Sequence, residues 1–174
     1  EGRPLSLESL EALLQIESPA DLDLLYRTAN HLRHRRQENA CCVHGILELS
    51  NACRCSCAYC GIRAERRALP RYRLAIGEAI EAAGEAIGRH GFKALVLQSG
   101  EGAYETAELT EMVRAIRQRW SCLLIASFGD VGENGLERLF EAGVRGLLLR
   151  FETSNPDLYG RYCFGSSLER RLAL

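Results

Sequence analysis

Four short apolar runs, at residues 45–49, 94–97, 123–126 and 146–149, are each followed by a segment whose apolar side chains recur at helical spacing. Alternation of this kind is the pattern of a parallel sheet covered by crossover helices, because a parallel strand must be followed by a connection long enough to carry the chain back. Ile76, Ala79, Ile80, Ala83 and Ile87 make one helical face, Leu109, Met112, Val113 and Ile116 a second, and Leu136, Leu139 and Phe140 a third. The last helix of the series is expected from Pro156 onward. A weak repeat supports the unit: Gly91, run 94–97, Ser99 and Glu101 parallel Gly143, run 147–149, Arg150 and Glu152. The expected fold is therefore α/β, a partial (βα) barrel of about four units. In such barrels the loops at the C-terminal ends of the strands carry the chemistry.

Upstream, Ser6 precedes Leu7, Leu10 and Leu14, and Ser18-Pro19 precedes Leu22, Leu25, Ala29 and Leu32. Both are helix-start signals, with Arg33, His34, Arg35 and Arg36 suited to the second helix's C-terminal end. Residues 1–40 thus read as a helical segment and 41–174 as the N-terminal half of a barrel. The 174 residues, with 47% apolar content, fill one core. No apolar run approaches the roughly 20 residues of a membrane span. With 22 basic and 23 acidic side chains the net charge is −1, which removes the usual basis for nucleic-acid binding. The first residues lack an apolar signal stretch, so a cytoplasmic setting is expected. A start at Glu1 rather than Met suggests a processed product or a fragment.

Directly after the first run, four of the eight cysteines fall within eight positions. Cys53, Cys57 and Cys60 have the spacing C-x3-C-x2-C. Three thiolates on one loop can hold three irons of a cubane 4Fe-4S cluster and leave the fourth iron open to a substrate. Gly61 is expected to let the chain turn as it leaves the motif, and Tyr59 to wall it. The competing reading is a structural zinc site recruiting Cys55, or Cys41 and Cys42, to close a four-ligand shell. In that reading the protein is a non-catalytic binding module, with Arg63, Arg66, Arg67, Arg71 and Arg73 available to nucleic acid. Aromatic residues are sparse among those arginines, which weakens it.

The cysteine motif, with an aromatic before its last cysteine and at the end of a first barrel strand, resembles the radical S-adenosylmethionine (SAM) superfamily. The runs Leu97-Gln98-Ser99-Gly100-Glu101 and Arg150-Phe151-Glu152-Thr153-Ser154-Asn155-Pro156, with Arg71-Tyr72-Arg73, resemble its HydE-type branch, which matures iron-iron hydrogenase. Biotin synthases and methylornithine synthases are related branches. Phe151, Gly102-Ala103 and Tyr162-Cys163-Phe164 depart from that pattern. The resemblance implies a 4Fe-4S cluster on Cys53, Cys57 and Cys60, and reductive cleavage of SAM to methionine and a 5′-deoxyadenosyl radical. It implies a small-molecule or organometallic substrate and a protein reductant such as flavodoxin or ferredoxin. By position it brings Ser99, Gly100 and Glu101 to the methionine end of SAM and places Tyr59 in the SAM site as well. Ser127 and Glu152 fall under the sulfonium and ribose, and Arg150 and Arg171 supply positive charge, Arg171 being favoured for the SAM carboxylate.

Overall fold

In the computed structural model, which describes residues 4–38, 40–41 and 43–174, the chain separates into two compact units, Glu1–Cys42 and Val43–Leu174. In the first, α1 (Leu7–Leu14) starts where Ser6 Oγ accepts the Ser9 N–H at 3.2 Å, satisfying one of the donors a helix start leaves orphaned. Helix α2 (Pro19–Gln37) has Pro19 at its first turn, where the missing N–H costs nothing. Neither helix contains a fully buried side chain.

The second unit holds a parallel sheet of four strands in the order β1-β2-β3-β4: β1 (Gly45–Ser50), β2 (Ala94–Ser99), β3 (Leu123–Ser127) and β4 (Gly146–Leu147). Helices α3 (Ile76–Gly88), α4 (Thr106–Arg119) and α5 (Gly132–Ala142) make the crossovers, and α6 (Pro156–Tyr162) and α7 (Leu168–Ala173) follow β4. One sheet face, Leu49, Leu95, Leu97, Leu124 and Ala126, packs against Ala79 and Ala83 of α3, Leu109, Met112 and Ile116 of α4, and Leu139 of α5 in one buried cluster. Period-2 alternation turns the intervening residues to the other face. There Glu48, Gln98 and Ser127 stand in register across three strands. Among the described residues no helix is long and apolar enough to cross a membrane.

Three expectations change. The fourth run forms ladder only over Gly146–Leu147, paired with Ile125 and Ala126, not 146–149, although the Leu148 N–H still bonds the Ala126 carbonyl at 2.8 Å. The helix expected from Pro156 onward is interrupted, with Gly165 at φ 81° between α6 and α7, a conformation glycine adopts without strain. Phe140, counted on the apolar face of α5, lies 61% exposed with the Arg145 guanidinium over its ring.

Strands β1 and β4 are the two edges, β1 bridged only at its end by Arg73 and Leu74, and Ile46, Leu147 and Leu148 are exposed beside them. Unpaired edges flanked by apolar surface template association. Sedimentation velocity on the 174-residue chain should therefore show concentration-dependent self-association. A monomer at every concentration would contradict this.

Candidate metal centre

The loop carrying the cysteines is anchored at both ends before any cofactor is considered. On leaving β1, Ser50 Oγ accepts the Ala52 N–H (3.1 Å) and donates to the Tyr72 carbonyl (2.6 Å). The Asn51 amide donates to the Pro70 carbonyl and accepts the Tyr72 N–H, each at 2.8 Å. Arg71 closes the clamp, its guanidinium donating to the carbonyls of Ile62 (2.8 Å), Arg63 (2.7 Å) and Asn51. Every one of these partners is a backbone group, so the clamp fixes the path of the loop.

The β2 end sets the loop's height. The Gly100 N–H donates to the Ser50 carbonyl (3.1 Å), and the Arg54 N–H donates to the Glu101 carbonyl (2.9 Å). A Cβ at position 100 would lie 2.0 Å from the Ala52 oxygen and 2.7 Å from Cys53 Cβ, so only glycine permits this approach. Gly61, expected to provide the turn, has nothing within 4 Å of where a Cβ would stand and no positive φ. The conformational demand falls on Gly100.

Cys53, Cys57 and Cys60 are part-exposed, whereas Cys55 is 6% exposed. Burial, then the negative charge of Glu101, pushes the Cys55 thiol up to about 12, and burial also raises that of Cys57. The Cys60 N–H bonds the Cys57 carbonyl (3.0 Å), and the Cys55 N–H points at Cys53 Sγ (3.4 Å). An N–H aimed at sulfur is one of the devices by which proteins hold cluster thiolates. Among the described residues no three His, Cys, Asp or Glu side chains form a group that could hold a metal ion. Cys53, Cys57 and Cys60 are part-exposed thiols spaced along one clamped loop, and a cubane would ask for one such thiolate per iron. Cys42 lies outside the described residues.

Cys53 and Cys57 line a cavity of about 180 Å³ at the C-terminal ends of the strands. Ser99, Gly100 and Glu101 reach it from the end of β2, Ser127 from β3, and Arg150 and Glu152 from the segment after β4. Tyr59 and Arg171 complete the wall, so all eight non-cysteine residues selected from the sequence meet there. Their states differ. Arg150 and Glu152 are exposed, and Glu152 holds a left-handed φ of 61°, a strained conformation for a non-glycine residue. Glu101 and Arg171 are committed to each other. Glu101 Oε2 accepts from Arg171 (2.5 Å) and from the Asp130 N–H (3.1 Å), and Oε1 accepts from Arg54 (3.2 Å). Burial alone would raise the Glu101 carboxyl, but the Asp130 N–H and the Arg171 guanidinium outweigh it and hold it below the usual range.

Other participants were not singled out from the sequence. Gln98 donates to Glu48 (2.6 Å) and accepts from Ser127 (3.2 Å), a polar row across β1, β2 and β3 on the cavity side. Period-2 counting from the buried Leu49 and Leu97 would have found Glu48 and Gln98. The departing segment Tyr162-Cys163-Phe164 docks on the cysteine loop: the Ala58 N–H donates to the Tyr162 carbonyl (2.8 Å) and the Ser56 N–H to the Phe164 carbonyl (3.4 Å).

The family model described as the Radical SAM superfamily matches residues 47–174. The [FeFe] hydrogenase maturase subunit HydE of Thermotoga maritima is 33% identical over 173 residues, 99% of this chain and 49% of that protein. A 3-methylornithine synthase of Methanosarcina acetivorans is 29% identical over 174 residues, 98% of this chain and 49% of its own. Among solved structures, methylornithine synthase (PylB) superposes with a TM-score of 0.83 at 26% identity, covering 99% of this chain and 51% of that one. The maturase HydG of Carboxydothermus hydrogenoformans gives 0.82 at 25% identity, with 96% and 39% covered. The chain spans about half the length of the curated relatives it matches.

Proposed function

The chain belongs to the radical SAM superfamily, and on that premise we propose that Cys53, Cys57 and Cys60 hold a 4Fe-4S cluster beside a SAM site in the cavity that Cys53 and Cys57 border. When bound and reduced, the cluster supplies the electron that cleaves SAM to methionine and a 5′-deoxyadenosyl radical, the cofactor rather than the protein carrying the hard chemistry. The protein's part is to bind, orient and exclude water. The observation that carries the reading is the meeting of Cys53 and Cys57 with Ser99, Gly100, Ser127, Arg150 and Glu152 on one cavity.

Gly100 lets the backbone of β2 lie against the cysteine loop, which brings the methionine end of SAM close to the thiols. Arg150 is exposed and, among the described residues, has no ion-pair partner, so its guanidinium is open to the SAM carboxylate. Arg171, favoured for that role from the sequence, is paired with Glu101 and serves by fixing Glu101 and, through it, Arg54. Ser127 Oγ and the Glu152 carboxylate remain for the sulfonium and ribose, where a carboxylate near a sulfonium is favourable. Tyr59, 55% exposed, shields the outer side.

The finer reading is a role in maturing the iron-iron hydrogenase cofactor, supported by the likeness to HydE. The substrate would be a small or organometallic molecule, and the setting the cytoplasm, where thiols stay reduced. A methylornithine synthase-like reaction is the alternative the second relative supports.

Metal analysis after anaerobic reconstitution tests the core of this reading. About four iron and four sulfide per chain are expected; a single zinc would overturn it. Serine at Cys53, Cys57 or Cys60 should abolish the visible absorption of the cluster, while Cys55→Ser leaves it near the parent's. A cluster lost only with Cys55 would reassign the ligands.

A further inference from the structure

We infer that the arginine-rich turn following the cysteine loop, residues 61–73, is the docking face for an acidic protein that donates single electrons; this rests on the cluster reading above. Within thirteen positions the turn carries five arginines against one acid, Glu65, in a chain whose net charge is −1. Three of the five are committed. Arg71 clamps the backbone, Arg73 bonds the Ala103 carbonyl and Glu108, and Arg63 bonds the carbonyls of Ala58 and Cys60. Arg66 and Arg67 are exposed, and among the described residues their side chains have no partner.

Their positions are nonetheless fixed. The Arg66 N–H bonds the Arg63 carbonyl and the Leu69 N–H bonds the Arg66 carbonyl, both at 3.1 Å, and the Arg67 N–H bonds the Glu65 carbonyl at 2.8 Å. Charge presented on a held backbone costs less ordering when a partner binds. The turn is also joined directly to the loop that bears the thiols: the Ala64 N–H donates to the Cys55 carbonyl (2.9 Å), and the Arg63 guanidinium to the Cys60 carbonyl (3.2 Å). A protein seated on Arg66 and Arg67 therefore stands one loop away from the cysteines. A low-potential cluster needs an external donor, and an acidic surface is what such a patch steers. Nucleic acid fits less well, since stacking platforms are missing: Tyr72, the aromatic within the turn, has its hydroxyl bonded to the Glu48 carbonyl. The transfer is outer-sphere. One electron leaves the donor's reduced flavin or iron-sulfur centre and arrives at the cluster, with no bond made or broken.

The test uses reconstituted protein with flavodoxin as the probe. In the double variant R66E/R67E, the rate at which reduced flavodoxin bleaches the cluster should fall about tenfold, within the range electrostatic steering spans. Affinity for oxidised flavodoxin, measured by titration, should fall in parallel and weaken with added salt. R66K/R67K should restore both, and dithionite should reduce parent and variants alike. Unchanged flavodoxin rate and affinity in R66E/R67E would overturn the inference, as would a DNA duplex displacing flavodoxin from the parent at equal concentration. Failure of the cluster reading looks different: no absorption forms and dithionite bleaches nothing, while binding of oxidised flavodoxin still reports on the patch.

Discussion

Alanine at position 100 is expected to cost the protein most of its capacity to take up iron and sulfide, although a single methyl group is added. The methyl carbon would stand 2.0 Å from the Ala52 carbonyl oxygen and 2.7 Å from Cys53 Cβ. The first of these is backbone, so no rotamer change relieves it. Either β2 or the start of the cysteine loop must retreat, breaking the Gly100 N–H bond to the Ser50 carbonyl and the neighbouring Arg54 N–H bond to the Glu101 carbonyl. Overpacking costs typically about 1 to 3 kcal/mol where side chains can adjust, and more is expected where backbone must move. The loop is clamped on its other side by Asn51 and Arg71, so displacement is directed into the thiols. Gly61→Ala is the matched control, since a Cβ there meets nothing within 4 Å. Reconstituted iron content and the thermal midpoint should both fall for Gly100→Ala and stay at parent values for Gly61→Ala. Parent-like iron in Gly100→Ala would show that the approach of β2 to Ala52 is not needed for the cluster.

That contrast also marks where sequence reading reaches its limit. A glycine next to a metal motif invites a local explanation, and Gly61 received one; the constraint on Gly100 comes from Ala52, forty-eight positions away in sequence, and no periodicity records it. Signals that are local were legible. The apolar runs marked β1, β2 and β3, the Ser6 cap marked α1, and the C-x3-C-x2-C spacing marked the thiols. The three strands run on into Ser50, Gln98-Ser99 and Ser127 because ladder pairing with neighbours carries polar residues that an apolar count would exclude. The opposite happens at β4, where the ladder covers only Gly146–Leu147 of the apolar run and the Leu148 N–H adds a single bond to the Ala126 carbonyl. Charge pairing was the least legible. Glu101 and Arg171 are seventy residues apart, and nothing in either segment says that a carboxylate expected to meet a cofactor first meets an arginine.

Loss of that carboxylate should be the most destabilising change among the charged residues of the site. Glu101 is 8% exposed, and the side chain of its partner Arg171 is 10% exposed. Removing one member of a buried pair strands the other, at a cost of about 3 to 5 kcal/mol. Arg54 contributes little to this figure, because its side chain is 63% exposed and an exposed pair is screened. Glu101→Ala should therefore lower the thermal midpoint sharply, while Glu152→Ala, at an exposed position, leaves it unchanged. The pH dependence has a definite sign. Burial acts to raise the Glu101 carboxyl, but the Asp130 N–H and Arg171 prevail, so its folded value lies below its unfolded one. The stabilisation is then complete above the unfolded value of about 4.3 and is lost as pH falls from there through the folded value. Glu101→Gln, which keeps an acceptor for the Asp130 N–H but carries no charge, should flatten this acid limb relative to the parent. It also separates the two roles open to Glu101. Unfolding curves of parent, Gln and Ala variants between pH 3 and 7 check the fold, a window bracketing the carboxylate value of about 4.3, and SAM titration of the Gln variant checks the cofactor. A Glu101→Ala protein that melts with the parent would mean the ion pair is not holding β2 to α7, and that Glu101 is kept for SAM alone.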